Sequence, residues 1–147
     1  MKRLALAGLA IALTAGSAFA LDAASQIKAR QDGMKAVGGA TKGLYDTLSG
    51  DKDPAKLKAL AAQLNTLAPK VPGWFPAGTG PEAGVKTDAK AAIWADKADF
   101  NAKAGAFAAQ AAKLNAAAQA GDADKVKAEF MALRGTCKSC HDKFKED

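Results

Sequence analysis

A chain of 147 residues has room for one ordinary domain, and its formal charge of +6 comes from 21 basic and 15 acidic residues. The two signs are interleaved, as on a solvated helical surface, and no dense basic tract with interleaved aromatic residues argues for nucleic-acid binding. Ala, Lys, Leu and Gln dominate while β-branched residues are sparse, which favours an all-α fold and argues against a β-rich one.

The N-terminus has the pattern of a secretory signal peptide. Lys2 and Arg3 are followed by an apolar stretch and by the sequence AFA, which is typical of a cleavage site. The alternative is an N-terminal membrane anchor, but the apolar stretch is too short to span a bilayer. We therefore predict a signal peptide over residues 1–20, a domain over residues 21–147, and export to the periplasm as a soluble protein.

The first predicted helix covers residues 22–50, and its inward positions recur every three or four residues. Those positions are Ile27, Arg30, Met34, Val37, Thr41, Leu44 and Leu48. Gly33, Gly38 and Gly39 each weaken this helix by about 1 kcal/mol relative to alanine. Their presence predicts that something approaches the backbone closely there.

The second predicted helix lies within residues 51–70. Asp53 is a good N-cap and Pro54 suits the first helical position, whereas Pro69 and Pro72 predict the end of the helix. Leucines spaced three and four residues apart form its apolar stripe.

A Pro- and Gly-rich connection over residues 72–88 predicts a crossover at one end of the bundle, with Trp74 and Phe75 as anchors. The third predicted helix covers residues 89–121 as one continuous element. Gly121 is its predicted C-terminal cap.

The fourth predicted helix begins after the N-cap Asp122 and places a mixed apolar and Cys/His face inward. That face consists of Val126, Phe130, Leu133, Cys137, Cys140, His141 and Phe144. Four amphipathic helices with one longer crossover predict an antiparallel four-helix bundle. Because many inward positions are alanine, and an empty cavity costs about 24 cal/mol per Å3, we expect a bulky group inside it.

Both cysteines and the single histidine of the chain occur within the pentapeptide Cys137-Lys138-Ser139-Cys140-His141. On a helix, Cys137, Cys140 and His141 project from one face. The pattern C-x-x-C-H is typical of c-type haem attachment, in which two thiols add to the haem vinyl groups and the imidazole binds the iron. Export fits this interpretation.

Three alternatives remain for the pentapeptide. A C-x-x-C redox centre normally accompanies a βαβ pattern, which is missing from the sequence. A zinc site lacks a fourth Cys or His ligand. A structural disulfide would join only adjacent helical turns and would leave His141 unexplained.

Haem gives other residues a candidate role. Arg30, on an apolar helix face, would pair with a propionate; the alternative is that its side chain reaches solvent. Trp94 and Phe130 are candidates for packing against the haem, and Trp94 could instead donate its indole N–H to a propionate; the alternative is that they simply fill the core. Met34, one turn after Arg30, could bind the iron opposite His141 or pack over the haem without bonding.

The chain resembles the class II c-type cytochromes. The resemblance rests on GTCKSCHDKF near the C-terminus and on Arg30 and Met34 four residues apart. It also rests on FPAGT in the long connection, AKAAIW at the start of the third predicted helix and AGD before the fourth. It implies a four-helix bundle with one haem c, thioether bonds at Cys137 and Cys140, and His141 as proximal iron ligand. It further implies Arg30 beside a propionate, Met34 at the distal position, and often a homodimer through the first two helices.

Two branches of that family share this pattern. The run from Arg30 through Met34 is more similar to the low-spin branch, so our main expectation is a His/Met-ligated electron-transfer protein with periplasmic redox partners. Lys138, Lys143 and Lys145 could steer an acidic partner toward the haem edge. The alternative is a five-coordinate cytochrome c′ that binds NO or CO. A peroxidase is not expected, because the only histidine is already assigned.

Overall fold

A computed structural model describes the backbone of residues 14–146 and the side chains of residues 22–146. Its α-helices are α1 (Thr14–Ser49), α2 (Pro54–Leu67), α3 (Ala92–Ala95), α4 (Lys97–Ala120) and α5 (Ala123–Phe144). Most of the predicted signal peptide lies outside the described residues. Between residues 14 and 146, no helix combines the length and apolarity that a membrane crossing requires.

The four long helices form the predicted all-α bundle. Helix α4 packs against α5 and α2, and α2 packs against α1. Leucine and phenylalanine side chains that are almost fully buried form the centre of this core: Leu44, Leu64, Phe100, Leu114, Phe130 and Leu133. The small alanines between them allow the helices to approach closely.

The boundaries of α2 follow the prediction. The Asp53 carboxylate accepts a hydrogen bond from the Ala55 backbone nitrogen at 2.9 Å, and Pro54 is the first helical residue. The α-helix ends at Leu67, just before the first of two prolines, and the chain continues as a 3-10 helix over Ala68–Trp74. The N-cap and the proline stop are therefore both confirmed.

The third predicted helix is wrong in two respects, because it begins at Ala92 rather than at residue 89 and because it is broken. Helix α3 ends at Ala95, and Asp96 has a non-helical backbone (φ −126°, ψ 61°) before α4 begins. The Asp96 side chain accepts from the Asp99 backbone nitrogen at 3.2 Å and so caps α4. The side chain of Lys143 on α5 also reaches Asp96 and Asp99, at 2.7 and 2.8 Å. This cap and these ion pairs stabilise a break that helical periodicity alone does not reveal.

The turn between α4 and α5 agrees with the sequence. Gly121 adopts a left-handed conformation (φ 77°), which favours glycine. Asp122 then caps α5 by accepting from the Lys125 backbone nitrogen at 2.9 Å. The two helices are thereby held as antiparallel neighbours.

The glycines of α1 divide into two kinds. A Cβ atom added at Gly33 would lie 2.8 Å from the Trp74 ring, so the expected close approach to the backbone is confirmed there. At Gly38 and Gly39 an added Cβ would meet no described atom within 4 Å, so no described part of the chain approaches the backbone closely there.

Candidate functional site

The bundle contains a cavity of about 770 Å3 between α1 and α5. This volume lies in the range that proteins use to hold small molecules and cofactors. Its inner wall is apolar and is formed by Val71, Phe75, Ala89, Ile93, Phe100 and Phe144. The internal space expected from the alanine-rich core is therefore present, and it is concentrated beside the C-terminal helix.

The pentapeptide motif lies in the wall of this cavity. Cys137, Cys140 and His141 all line it from α5. Both cysteines are half-buried free thiols. The residue His141 is exposed overall, although its imidazole is partly buried against the cavity. The sequence prediction that these three side chains share one face is confirmed.

The environment keeps these three groups in their neutral forms. Burial raises the pKa of the Cys137 thiol and of the Cys140 thiol above the ordinary value. Partial burial lowers the pKa of His141, with the nearby charge of Lys145 adding to this effect and that of Asp142 opposing it. A neutral imidazole has the free nitrogen lone pair that binding to a metal requires.

Arg30 is a buried cation in the wall of the same cavity. Only 3% of its surface is exposed, so the alternative in which it reaches solvent is wrong. Its guanidinium donates to the hydroxyl and to the carbonyl of Thr79, both at 3.0 Å, and to the Thr87 hydroxyl at 2.8 Å. It also lies 4.7 Å from the centre of the Phe75 ring. These partners orient the guanidinium, and all of them are neutral.

No carboxylate compensates this charge among the side chains that the structure describes, since no ion pair there includes Arg30. Burial lowers the pKa of Arg30, because the charged form is poorly solvated. A buried cation without a counter-ion is costly, so an anionic group inside the cavity would be stabilised there. The site is chemically suited to a ligand that carries a carboxylate.

The α1 wall contains the other predicted site residue, Met34. Its half-buried side chain lines the cavity together with Val37, Gly38 and Thr41. These residues face the cavity from the helix that lies across it from the motif on α5. The structure thus brings Met34 and Arg30 into one cavity with the pentapeptide.

Trp94 and Phe130 do not belong to the cavity wall. The Trp94 indole nitrogen donates to the Pro76 carbonyl at 2.9 Å, and its ring lies 6.2 Å from that of Phe75. Phe130 is 2% exposed within the helix core. Both residues support the structure around the site, and the core role considered in the sequence analysis describes them better.

Sequence reasoning missed two threonines. Thr79 and Thr87 hold Arg30 from the connection between α2 and α3, where no periodic pattern marks them. Phe75 was predicted only as an anchor, yet it also forms part of the cavity wall and lies beside the guanidinium. Its place as the first residue of the FPAGT segment, which ends at Thr79, was the one available signal.

The lysines expected to steer a partner are largely offset by acids. Lys138 pairs with Asp142 at 2.7 Å, and Lys145 lies 3.8 Å from Asp88. Lys143 pairs with two aspartates at the start of α4. These pairs leave little net positive charge on that side of α5.

Comparison with known proteins identifies the family. Residues 25–145 match the family model described as Cytochrome C′. This chain belongs to the cytochrome c′ family. Cytochrome c′ of Rhodospirillum rubrum is 37% identical over the whole of both chains.

Solved structures of cytochromes c′ share the fold. One, described as having an unusual ligand-controlled dimer dissociation, is 28% identical with a TM-score of 0.80, covering 85% of this chain and 97% of its own. A nitric oxide complex of a mutant cytochrome c prime from Alcaligenes xylosoxidans is 33% identical with a TM-score of 0.75. That match covers 87% of this chain and 97% of the other.

Haem c is the covalently attached cofactor of this family, and the cavity fits it. Two thiols and an imidazole at C-x-x-C-H spacing line one wall, as attachment to vinyl groups and iron requires. The uncompensated Arg30 cation suits a propionate, and the aromatic inner wall suits the porphyrin faces. Cys137 and Cys140 would hold the group covalently and His141 would bind its iron.

Proposed function

We propose that this cytochrome c′ holds a five-coordinate haem c and binds NO and CO at the open axial position opposite His141. The observation that carries this proposal is the family match over residues 25–145, together with a related structure that contains nitric oxide. A five-coordinate haem iron binds small diatomic ligands at its vacant position. This was the alternative interpretation of the sequence, and the comparisons favour it over the His/Met-ligated form.

Residues on two opposite walls of the cavity would hold the haem. On α5, the free thiols of Cys137 and Cys140 would hold the haem covalently, and the neutral His141 would bind its iron. Across the cavity, the buried Arg30 orients the group through a propionate. Phe75 and Phe100 exclude water from the inner side.

The α1 wall has the character expected of a distal pocket for uncharged gases. The chain has one histidine, so no second imidazole is available to close the axial position. Met34 and the uncharged Val37, Gly38 and Thr41 form one part of the α1 wall, which also includes the cations Arg30, Lys35 and Lys42.

The second candidate is the electron-transfer protein with Met34 as sixth ligand. One observation supports it: Met34 lines the cavity from the helix opposite the motif. The same position suits a methionine that packs over the haem without bonding. The two functions therefore differ in one bond between sulfur and iron.

The remaining assignments belong to the same proposal. Export through the signal peptide over residues 1–20 would place the protein in the periplasm, where haem c is attached. The protein would bind ligands without turning over a substrate. A homodimer through α1 and α2 is expected, and a related structure shows dimer dissociation controlled by a ligand.

The experiment compares the wild type with Met34→Ala and with Met131→Ala. Met131 is 56% exposed on α5 and serves as the matched control. We expect the ferrous wild type to bind one equivalent of CO on mixing, and neither substitution to change the spin state. If the wild type is low-spin and resists CO, and only Met34→Ala becomes high-spin, the electron-transfer function is correct instead.

A further inference from the structure

Lys97 places a cation directly behind the aromatic wall of the cavity. It is the first residue of α4, and its side chain is partly buried. The Lys97 ammonium donates to the Phe75 carbonyl at 3.0 Å and lies 5.1 Å from the centre of the Phe100 ring. Both phenylalanines line the cavity, whereas Lys97 does not. The charge is therefore close to the haem site without being able to touch the haem.

Lys97 has no carboxylate partner among residues 22–146. No ion pair in that range includes it, and the neighbouring carboxylates of Asp96 and Asp99 bind Lys143 on α5 instead. Burial lowers the pKa of the Lys97 amine. Solvent reaches one side of the ammonium, while its other side faces aromatic rings, which screen a charge far less than water does.

Arg30 is the other cation at this wall, and the two cations differ in what the haem does to them. The Arg30 guanidinium lies 4.7 Å from the centre of the Phe75 ring and lines the cavity, where a propionate would neutralise it. Lys97 does not line the cavity, so it would remain without a counter-ion when the haem is bound. Its charge is the one that would persist behind the aromatic wall.

We propose that Lys97 raises the reduction potential of the haem and so favours the ferrous form. Reduction transfers one electron from a redox partner protein to the ferric iron, and a fixed cation nearby stabilises the added negative charge. The side chains between the cation and the haem are aromatic, so the field is weakened less than it would be in water. The inference needs the haem but no particular sixth ligand, so it goes beyond both candidate functions.

The test is a spectroelectrochemical titration of the haem-loaded wild type and of four variants at one pH and ionic strength. Lys97→Gln and Lys97→Met remove the charge, whereas Lys97→Arg keeps it. Lys113→Gln is the matched control, because it removes the same charge from an exposed position of the same helix.

We expect both neutral substitutions at Lys97 to lower the equilibrium constant for reduction about threefold, which corresponds to about 28 mV for a one-electron couple. Lys97→Arg and Lys113→Gln should leave this constant close to that of the wild type. Thermal unfolding checks that all four variants keep the stability of the wild type.

The variants separate the charge from the contact with Phe75. If Lys97→Arg lowers the constant as much as Lys97→Met does, the hydrogen-bond geometry rather than the charge is responsible, and the proposal is wrong. An equal shift in Lys113→Gln would assign the effect to the total charge of the protein. Neutral variants with the wild-type potential would also overturn the proposal. The gas-binding function is tested separately by CO binding and spin state, so either proposal can fail alone.

Discussion

Arg30 on α1 donates to both the side-chain hydroxyl and the backbone carbonyl of Thr79, each at 3.0 Å, across 49 positions of sequence. The Thr79 hydroxyl in turn donates to the Pro76 carbonyl at 2.8 Å. These bonds tie the connection before α3 to the first helix. They also set the position of the one buried cation in the cavity wall.

Replacing Thr79 with valine should therefore destabilise the protein. The change removes a buried hydroxyl and leaves one guanidinium N–H without its acceptor, so we expect a loss of about 1–3 kcal/mol in the free energy of unfolding. Thr66→Val is the matched control, because that exposed hydroxyl bonds only within its own helix. Urea unfolding of the haem-loaded proteins measures both, and an equal effect of the two changes would contradict the role of Thr79.

The contact between Gly33 and Trp74 predicts opposite effects for two Gly→Ala substitutions in one helix. At Gly33, the new Cβ would lie 2.8 Å from the indole and force it to move, at a cost of about 1–3 kcal/mol. At Gly39 nothing obstructs the Cβ, so the change should stabilise the protein by about 0.5–1 kcal/mol through helix propensity. Thermal unfolding of the two variants tests the pair, and a stabilising Gly33→Ala would contradict the close packing.

The link between Lys143 and Asp96 predicts a pH-dependent contribution to stability. The hydrogen bond from Lys143 is the largest cause that lowers the pKa of the Asp96 carboxyl, followed by that from the Asp99 backbone nitrogen. A lowered pKa in the folded state stabilises the protein above the unfolded pKa of about 3.9, and this contribution disappears as the pH falls through the folded value. Asp96→Asn should thus lower stability at pH 7 and have a shrinking effect below about pH 4.

The partner of this ion pair provides the control. In a Lys143→Gln background, Asp96→Asn should lose most of its effect at pH 7, since asparagine still caps α4. Urea unfolding of the wild type, both single variants and the double variant at several pH values measures the coupling between Asp96 and Lys143. An effect of Asp96→Asn that is the same at pH 7 and below pH 4 would show that the charge contributes nothing.

Covalent attachment through both cysteines is a separate prediction. Since Cys137 and Cys140 line the cavity as free thiols, each should form one thioether bond. The double substitution to alanine should yield a polypeptide without covalent haem under denaturing mass spectrometry, whereas Ser139→Ala, between them, should retain it. Haem that stays attached in the double variant would place the bonds elsewhere.

Much of the fold could be predicted because it depends on local patterns. Helical spacing, the Asp53 and Asp122 caps and the Gly121 turn predict the bundle from the sequence alone, and the structure contains all of them. The break at Asp96 was missed because ion pairs from α5 stabilise it, and these depend on tertiary contacts. A competing cap inside an alanine-rich helix gives only a weak sequence signal.

The site was predictable where its residues share a helix and not where they come from the connection. Cys137, Cys140 and His141 follow from spacing alone. The burial of Arg30 against Thr79 and Thr87 depends on how an irregular segment crosses the bundle, and no periodicity specifies that path. Helical spacing also predicts Met34 on the inward face of α1, and its side chain lines the cavity.

The most direct test of the account is the resonance Raman spectrum of the ferrous protein without added ligand, because its marker bands report the spin state and coordination number of the haem iron. We predict a high-spin, five-coordinate haem with His141 as its only axial protein ligand. A low-spin, six-coordinate spectrum that becomes high-spin in Met34→Ala would contradict the proposed open site.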